Sequence, residues 1–442
     1  MPGDTGHGAI RGRTPGPEVV PVTPERERRE LDAAIRRVVQ RNACIGCGLC
    51  TQLDTSLRLE LDADGFLRPH RSDAPGVVAP DARRQFERSC PGCRVDAARP
   101  RGSRRDATMG SSFGVWEAWA SDEVVRRRGS SGGALTALHG WLLDQGRASA
   151  IAAASVGREP RRTVPVTILS KEDALAAAGS RYAPVGVLAD PALASCDAIT
   201  GKPCEISAIR SLGSTARSDG PAHPGDAGGP LLLSFFCAGT PSQRATDDLL
   251  ARLGVGADER VDDLWYRGRG WPGRFTVRAD GRDGSLSYEE SWGEVLGRAT
   301  NWRCKVCADG VGESADVVAA DFWRIDDRGY PVFTEGPGSS ALIARTRRGL
   351  EAVLAAQAAG AIVLRPITMS ALANVQPLQR NRRTTLFGRL MGSRLAGVPG
   401  PRYRGFRLWA LALRHPRQNL RAARGTRARL RRAAAPTTGS AP

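Results

Sequence analysis

The sequence predicts an α/β protein in three parts: a small cysteine-bearing module, a middle domain built on a sheet, and a helical, strongly basic tail. Three observations carry this. From about Phe113 to Gly349, apolar runs of strand length alternate with segments whose apolar residues recur at helical spacing, the mark of an α/β domain. Residues 41–100 hold five cysteines and little periodic pattern, as expected of a module folded around inorganic ligands. Beyond residue 350 the chain reads as helical, and from Pro401 to Pro442 it has eleven arginines and no acidic residue.

Taken in order, residues 1–40 read as a disordered Pro/Gly/Arg leader that ends in a short polar helix, "RERRELDAAIRRVVQR". The module follows at 41–100 and the middle domain at 110–350. In it, "SSGGALTALHGWLLDQG" (130–146) opens with Ser and Gly before apolar residues at helical spacing, a helix start. "ASAIAAASV" (148–156), "TVPVTILS" (163–170), "VGVLAD" (185–190) and "LLLSFF" (231–236) read as buried strands, and Lys171–Gly179 as a helix. Residues 212–230 form a turn-rich surface loop, and 351–442 a helical, Arg-rich extension. There is no internal repeat.

Composition narrows the function classes. A chain of 442 residues, 41% hydrophobic and 25% charged, is that of a soluble globular protein of two or three domains. Its longest apolar runs fall far short of the roughly 20 residues of a bilayer span. A cytoplasmic location is expected, where ten cysteines serve as ligands or core residues and not as disulfides. The net charge of +18 is no argument for nucleic acid. Lysine occurs only at 171, 202 and 305, an arginine bias that looks like genomic composition, and the tail carries eleven of the cations.

The cysteines fall into two sets. Cys44, Cys47 and Cys50 stand at i, i+3 and i+6, and Cys90, followed by Pro91, supplies a fourth thiol. C-x2-C-x2-C with a distant C-P is an iron–sulfur spacing, here stretched by the 40 positions between Cys50 and Cys90. Zinc held by Cys44, Cys47, Cys90 and Cys93 is the alternative, and it leaves Cys50 unused. Cys304 and Cys307 form another C-x2-C pair, while Cys204 and Cys237 stand where strands should end, and together they could complete a second four-thiolate site. Cys93 and Cys196 read as small buried residues.

The words "CIGCGLC", "RRGSSGGALTAL", "AGSRYAPV", "TGKPCEI", "FFCAG", "YRGRGWPG", "RCKVCADGVGESADVVAADFW" and "GSSALIARTRRG" occur in this order over 41–350. In them the chain resembles the β-subunit family of coenzyme F420-reducing hydrogenases and dehydrogenases, iron–sulfur flavoproteins. The resemblance implies a mixed-sheet flavin-binding domain holding FAD beside a [4Fe–4S] cluster on Cys204, Cys237, Cys304 and Cys307. It implies a ferredoxin-like module with a second [4Fe–4S] cluster on Cys44, Cys47, Cys50 and Cys90. The single cluster motif of that module departs from the two-cluster ferredoxin and leaves the electron donor open.

FAD carries a pyrophosphate, for which Ser130, Ser131, Gly132 and Gly133 offer a helix N-terminus preceded by arginines. Ser180, Arg181 and Tyr182 offer a hydroxyl, a charged donor and an aromatic face to the ring system. Arg267 and Trp271 likewise offer a charged donor and an aromatic face at a glycine-rich turn that otherwise reads as a hairpin, and Asp321 reads as orienting a ring or a cluster ligand. No acid–base dyad is visible, so no catalytic residue is assigned, and His139 fits core or surface. The expected chemistry is exchange between two-electron and one-electron carriers, with coenzyme F420, a nicotinamide or an organic compound as hydride partner. An electron-transfer subunit of a larger complex is the alternative, and a zinc-knuckle nucleic-acid-binding protein a weaker one. For the tail, Phe406, Leu408, Trp409 and Leu413 beside arginines suggest an acidic carrier such as a ferredoxin, or an anionic membrane surface on the inner face. Removing it at Gly400 is expected to leave cofactor content unchanged.

Overall fold

The computed structural model describes residues 23–215, 229–326, 332 and 334–434. The leader before residue 23 and residues 216–228 of the segment read as a 212–230 loop lie outside them, and 212–215 continue a helix instead of starting that loop. An eight-stranded mixed sheet organises the chain, with strands β1 (Gly114–Ala120), β2 (Ile151–Val156), β3 (Thr163–Ile168), β4 (Ala198–Gly201), β5 (Leu231–Phe235), β6 (Val317–Asp321), β7 (Ser340–Ala344) and β8 (Ile362–Pro366) in the order β8-β1-β7-β6-β5-β4-β2-β3. Neighbours β2, β4, β5 and β6 are parallel, and β1 shares their direction through the antiparallel β7, while β3, β7 and β8 run against them. Strand β8 lies beyond residue 350, so the sheet does not close at the boundary read from the sequence.

Both faces of the sheet are covered, and the strands therefore read as continuous apolar runs. Side chains alternate between the faces: Leu231, Leu233, Val317 and Ala319 pack on one side, and Leu232, Val318 and Ala320 on the other. The helices α2 (Ala134–Asp144) and α4 (Arg347–Ala358) cover the first side, through Leu138, Trp141 and Val353. The second side carries helix α3 (Pro203–Thr215) and the whole cysteine module.

The helix before the module, α1 (Pro24–Gln40), starts two residues before the segment read from the sequence and is not simply polar. Its Leu31, Ala34, Ile35 and Val38 are buried against Leu49, Leu53 and Phe86. The run at 185–190 is not a strand. It forms a 3-10 turn, Val187–Ala189, whose Leu188 amide donates to the Cys47 carbonyl. Burial explains its apolar character, but against the module and not in the sheet.

A separate three-stranded sheet, Val261–Trp265, Phe275–Ala279 and Arg282–Leu286, packs with the Gln243–Arg252 helix over Tyr266, Phe275 and Leu249. The tail is folded as far as described. Its strand Arg402–Arg404 pairs with Arg94–Asp96, just after Cys93. Helix α6 (Pro416–Ala434) lies on α5 (Pro377–Arg394). Of the four tail residues assigned to an outside surface, Phe406 and Leu408 are buried against Val306, Ala308 and Leu386, while Trp409 and Leu413 are exposed. Among the described residues no helix is long and apolar enough to cross a membrane.

Candidate functional site

Five strands run in one direction, and their C-terminal ends meet along one edge of the sheet. The Gly132 carbonyl accepts from Ala120 at the end of β1. Lys202 and then Cys204 follow β4, Phe236 and Cys237 follow β5, and Asp321 closes β6. Ligand sites in open α/β sheets form at such an edge. Here it borders a cavity of about 480 Å³ that reaches from Ser130 to Cys237 and Trp323.

Arg267 is the hub of that cavity. It is fully buried, yet its guanidinium donates to the Asp321 carboxylate at 2.8 and 3.3 Å, to the Ser130 carbonyl at 2.5 Å, to Tyr182 Oη at 3.3 Å and to the Pro272 carbonyl at 2.8 Å. It also lies 5.1–5.3 Å from the ring centres of Trp271, Tyr288 and Trp323. Burial alone would depress its pKa, but Asp321 and the two phenols outweigh that cost and raise it, so the guanidinium stays charged. Four separated words of the sequence thus meet on one side chain. The turn carrying it also joins two antiparallel strands, so the hairpin reading holds as well.

Ser180 donates to Ser130 Oγ at 2.7 Å, and its backbone bridges to Arg267. Ser131 shares a 2.7 Å hydrogen bond with Ser340, whose Oγ also accepts the Gly132 amide at 2.9 Å. That amide is therefore committed within the protein. Gly133, in the left-handed region at φ +68°, ends the loop, and the first intrahelical bond of α2 runs from Ala137 N–H to its carbonyl. The earlier amides of α2 stand at a helix N-terminus beside the cavity. Arg181 differs from expectation. It lines the cavity, but its guanidinium lies 5.1 Å from the Tyr266 ring centre and donates to Thr163 Oγ1 and to the carbonyls of Leu264, Pro160 and Arg162. These contacts tie the loop to the small sheet. His139 reaches the cavity with Nε2 2.7 Å from Thr200 Oγ1, and burial pushes its pKa down to about 4, so the imidazole is neutral at pH 7.

The two cysteine sets are each gathered in space. Burial pushes the Cys47 thiol up to about 12, the Leu49 amide opposing and Cys44 adding to the shift. Cys50 is raised by burial and by Cys47 and Cys44, and Cys90 by its hydrogen bond with Cys93, by burial, and by Cys47 and Cys44. In the other set, burial pushes Cys237 up to about 12, with Cys304 and Cys307 adding. Burial raises Cys204 too, against Lys202, and Glu205, Cys237 and Cys47 all act on it. The two sets are therefore neighbours. Cys196 is a buried core thiol that donates to the Ala192 carbonyl, whereas Cys93 is half-buried against Cys90. Among the described residues, no three His, Cys, Asp or Glu side chains converge closely enough for a single metal ion.

The donor sets fit thiolate-bound clusters. Each gathers four thiols, and backbone amides point at sulfur: Gly46 at Cys44, Leu49 at Cys47, and Thr240 at Cys304 at 3.4 Å. The cavity fits a flavin in its aromatic walls and in the helix N-terminus. Several contributors are not legible in the sequence. Tyr288 carries no motif of its own, and Ser340 and Trp323 stand inside quoted words without having been assigned to the site. Lys202 and Glu205 form a buried ion pair at 2.6 Å between the two cysteine sets, and spacing i, i+3 in "KPCE" is the one available signal. Asn301 and Arg303 bond the second cysteine segment to the first, at the carbonyls of Cys44 and Pro91.

Residues 115–189 match the N-terminal part, and residues 197–370 the C-terminal part, of the family "Coenzyme F420 hydrogenase/dehydrogenase, beta subunit". The chain is similar to F420-dependent formate dehydrogenase 1 subunit beta of Methanococcus maripaludis, 27% identical over 222 residues. That match covers 49% of this chain and 54% of the relative, so the chain spans about half of that protein's length. It also shares its fold with a chain of the F420-reducing [NiFe] hydrogenase complex from Methanosarcina barkeri, with a TM-score of 0.50 and 20% identity over 68% of this chain and 98% of that one. The two family matches together take in more than half of the sequence, and the chain belongs to the coenzyme F420 hydrogenase/dehydrogenase beta-subunit family.

Proposed function

We propose that this chain is the iron–sulfur flavoprotein subunit of an oxidoreductase, exchanging hydride with coenzyme F420 or another two-electron compound and single electrons with a partner. The observation that carries this is the shared wall at the sheet edge: Cys237 follows β5 and lines the same cavity as Ser130, Tyr182 and Arg267. FAD would occupy that cavity, with Cys204, Cys237, Cys304 and Cys307 holding one [4Fe–4S] cluster and Cys44, Cys47, Cys50 and Cys90 another. When bound, these groups supply conversion between electron pairs and single electrons.

The protein's part is to hold and to exclude. Arg267 fixes Ser130, Tyr182 and Asp321 in one geometry and presents charge beside the ring site. His139 offers a neutral imidazole, and the rings of Tyr288 and Trp323 keep water from the same wall, while Trp271 stacks on Trp323 and lines the neighbouring cavity. A second cavity of about 700 Å³ shares Ser131 and Tyr288 with the first and is edged by Arg126, Arg127 and Arg269. We place the two-electron partner there. Both relatives are named as components of larger enzymes, which favours a subunit over a self-sufficient enzyme.

The test is anaerobic reconstitution followed by iron, sulfide and flavin analysis. The expected content is about eight irons and one FAD per chain. Cys304→Ser should lower iron to about four and stop electron flow between flavin and carrier. A wild-type chain that binds neither iron nor flavin would sink the reading.

A further inference from the structure

Arg303, between the two cysteine sets, is 2% exposed. Other buried arginines have carboxylates: Asp321 lies at 2.8 Å from Arg267, Glu313 at 2.8 Å from Arg383, and Glu313 and Asp309 act on Arg345. Among the described residues no carboxylate lies within ion-pair distance of Arg303. Its Nε and Nη2 instead donate to one acceptor, the Pro91 carbonyl, at 3.1 and 2.9 Å. The guanidinium lies 5.5 Å from the Tyr403 ring centre and within electrostatic reach of Cys307 and Cys204. Tyr403 gives its own proton to the Val306 carbonyl at 2.5 Å, so the phenol is not the counter-ion. A buried guanidinium without an anion is costly. The remaining groups around it that can carry negative charge are the thiols of Cys307 and Cys204.

The same segment is bonded to the other set. Pro91 follows Cys90, and Asn301 Nδ2 donates to the Cys44 carbonyl at 3.2 Å while Asn301 Oδ1 accepts the Arg303 amide at 2.9 Å. The turn that carries Cys304 is thus anchored on both halves of the first cysteine set.

We propose that Arg303 is a positioning residue shared by both cysteine sets, placing beside them a positive charge that no carboxylate offsets and so raising the reduction potentials of both bound groups. Its donation to the Pro91 carbonyl also ties the Cys90 loop to the Cys304–Cys307 turn, a tie that a lysine ammonium can keep with one hydrogen bond. The inference rests on the reading that both sets hold clusters. Net charge beside a cluster is one of the levers on its potential, and a nearby cation favours the reduced, more negative state.

The test compares R303Q, which removes the charge, with R303K, which keeps the charge but loses the fork, in the full reconstituted chain. Iron content is measured first, then both midpoint potentials by EPR-monitored redox titration. R303Q should retain its iron and show both midpoints moved to more negative potential, with R303K close to wild type. Unchanged midpoints in an iron-replete R303Q, or a shift at one cluster alone, would overturn the proposal and leave Arg303 a strut. If R303Q does not hold iron, R303K decides: it must keep full iron and wild-type midpoints, and failure of either overturns the proposal. A wild-type chain without iron overturns the underlying reading instead.

Discussion

Arg267 shows how much of this site hangs on one side chain. Its donors close onto Asp321, Ser130, Tyr182 and Pro272, and three aromatic rings surround it. Breaking such a buried pair from one side typically costs about 3–5 kcal/mol. Arg267→Gln should therefore lower stability in urea unfolding by about that amount and release flavin, and Arg267→Lys should not restore it, since an ammonium cannot reproduce the planar fork. His139 makes a second prediction at this scale. Its folded pKa of about 4 lies below the ordinary 6.5, so the unfolded chain takes up the proton first. The stability linked to its neutral form is present above pH 6.5 and is lost progressively as pH falls towards 4, about 3 kcal/mol in all. Histidine resonances in NMR should show one imidazole that does not titrate between pH 7.5 and 5.5. A midpoint near 6.5 for His139 would remove this claim.

At the scale of elements, the proposed function sets the FAD pyrophosphate at the N-terminus of α2. Gly132→Asp is a poor probe, because any Cβ there would lie 2.5 Å from the Ala118 carbonyl oxygen and 2.7 Å from the Ser340 nitrogen. Thr136, in the first turn and lining the cavity, is a better one. An acid in the first turn favours the helix but repels a bound phosphate. Thr136→Asp is expected to fold normally and to bind FAD at least tenfold more weakly, read by flavin fluorescence titration. Equal affinity would move the pyrophosphate elsewhere. The contact of α5 with α6 gives another case. A Cβ at Gly392 would meet the Ala423 carbonyl oxygen at 2.2 Å, so Gly392→Ala should push the helices apart and destabilise the tail by about 1–3 kcal/mol, seen as faster amide exchange in α6.

For the whole molecule, the tail departs furthest from what its composition leads one to expect. An Arg-rich, acid-free terminus looks dispensable, but Tyr403 and Phe406 pack on the Val306–Ala308 segment beside Cys304 and Cys307, and the 402–404 strand pairs next to Cys93. Truncation at Gly400 should therefore cost cofactor: iron is expected to fall from about eight towards four or fewer per chain. Unchanged iron would restore the view of an independent tail. The exposed Trp409 and Leu413 remain beside Arg414 and Arg417, a small basic and apolar surface left after the rest has folded inward.

The sequence by itself determined the local chemistry. Cysteine spacing, the glycine-softened loops and the alternation of strand and helix are short-range patterns. They sufficed for the α/β class, for the sheet strands β2, β3 and β5 and for the words that meet around Arg267. Only tertiary structure decided what depends on distant segments lying side by side. The apolar run at 185–190 could be a strand or a buried turn, because burial gives the same composition in either. Phe406 reads alike whether it faces lipid or Val306, and Arg303 shows its value only when Pro91, 212 positions earlier in the chain, is folded against it. Such pairings follow from the burial of charge and apolar surface across the whole chain, which no local window of sequence contains.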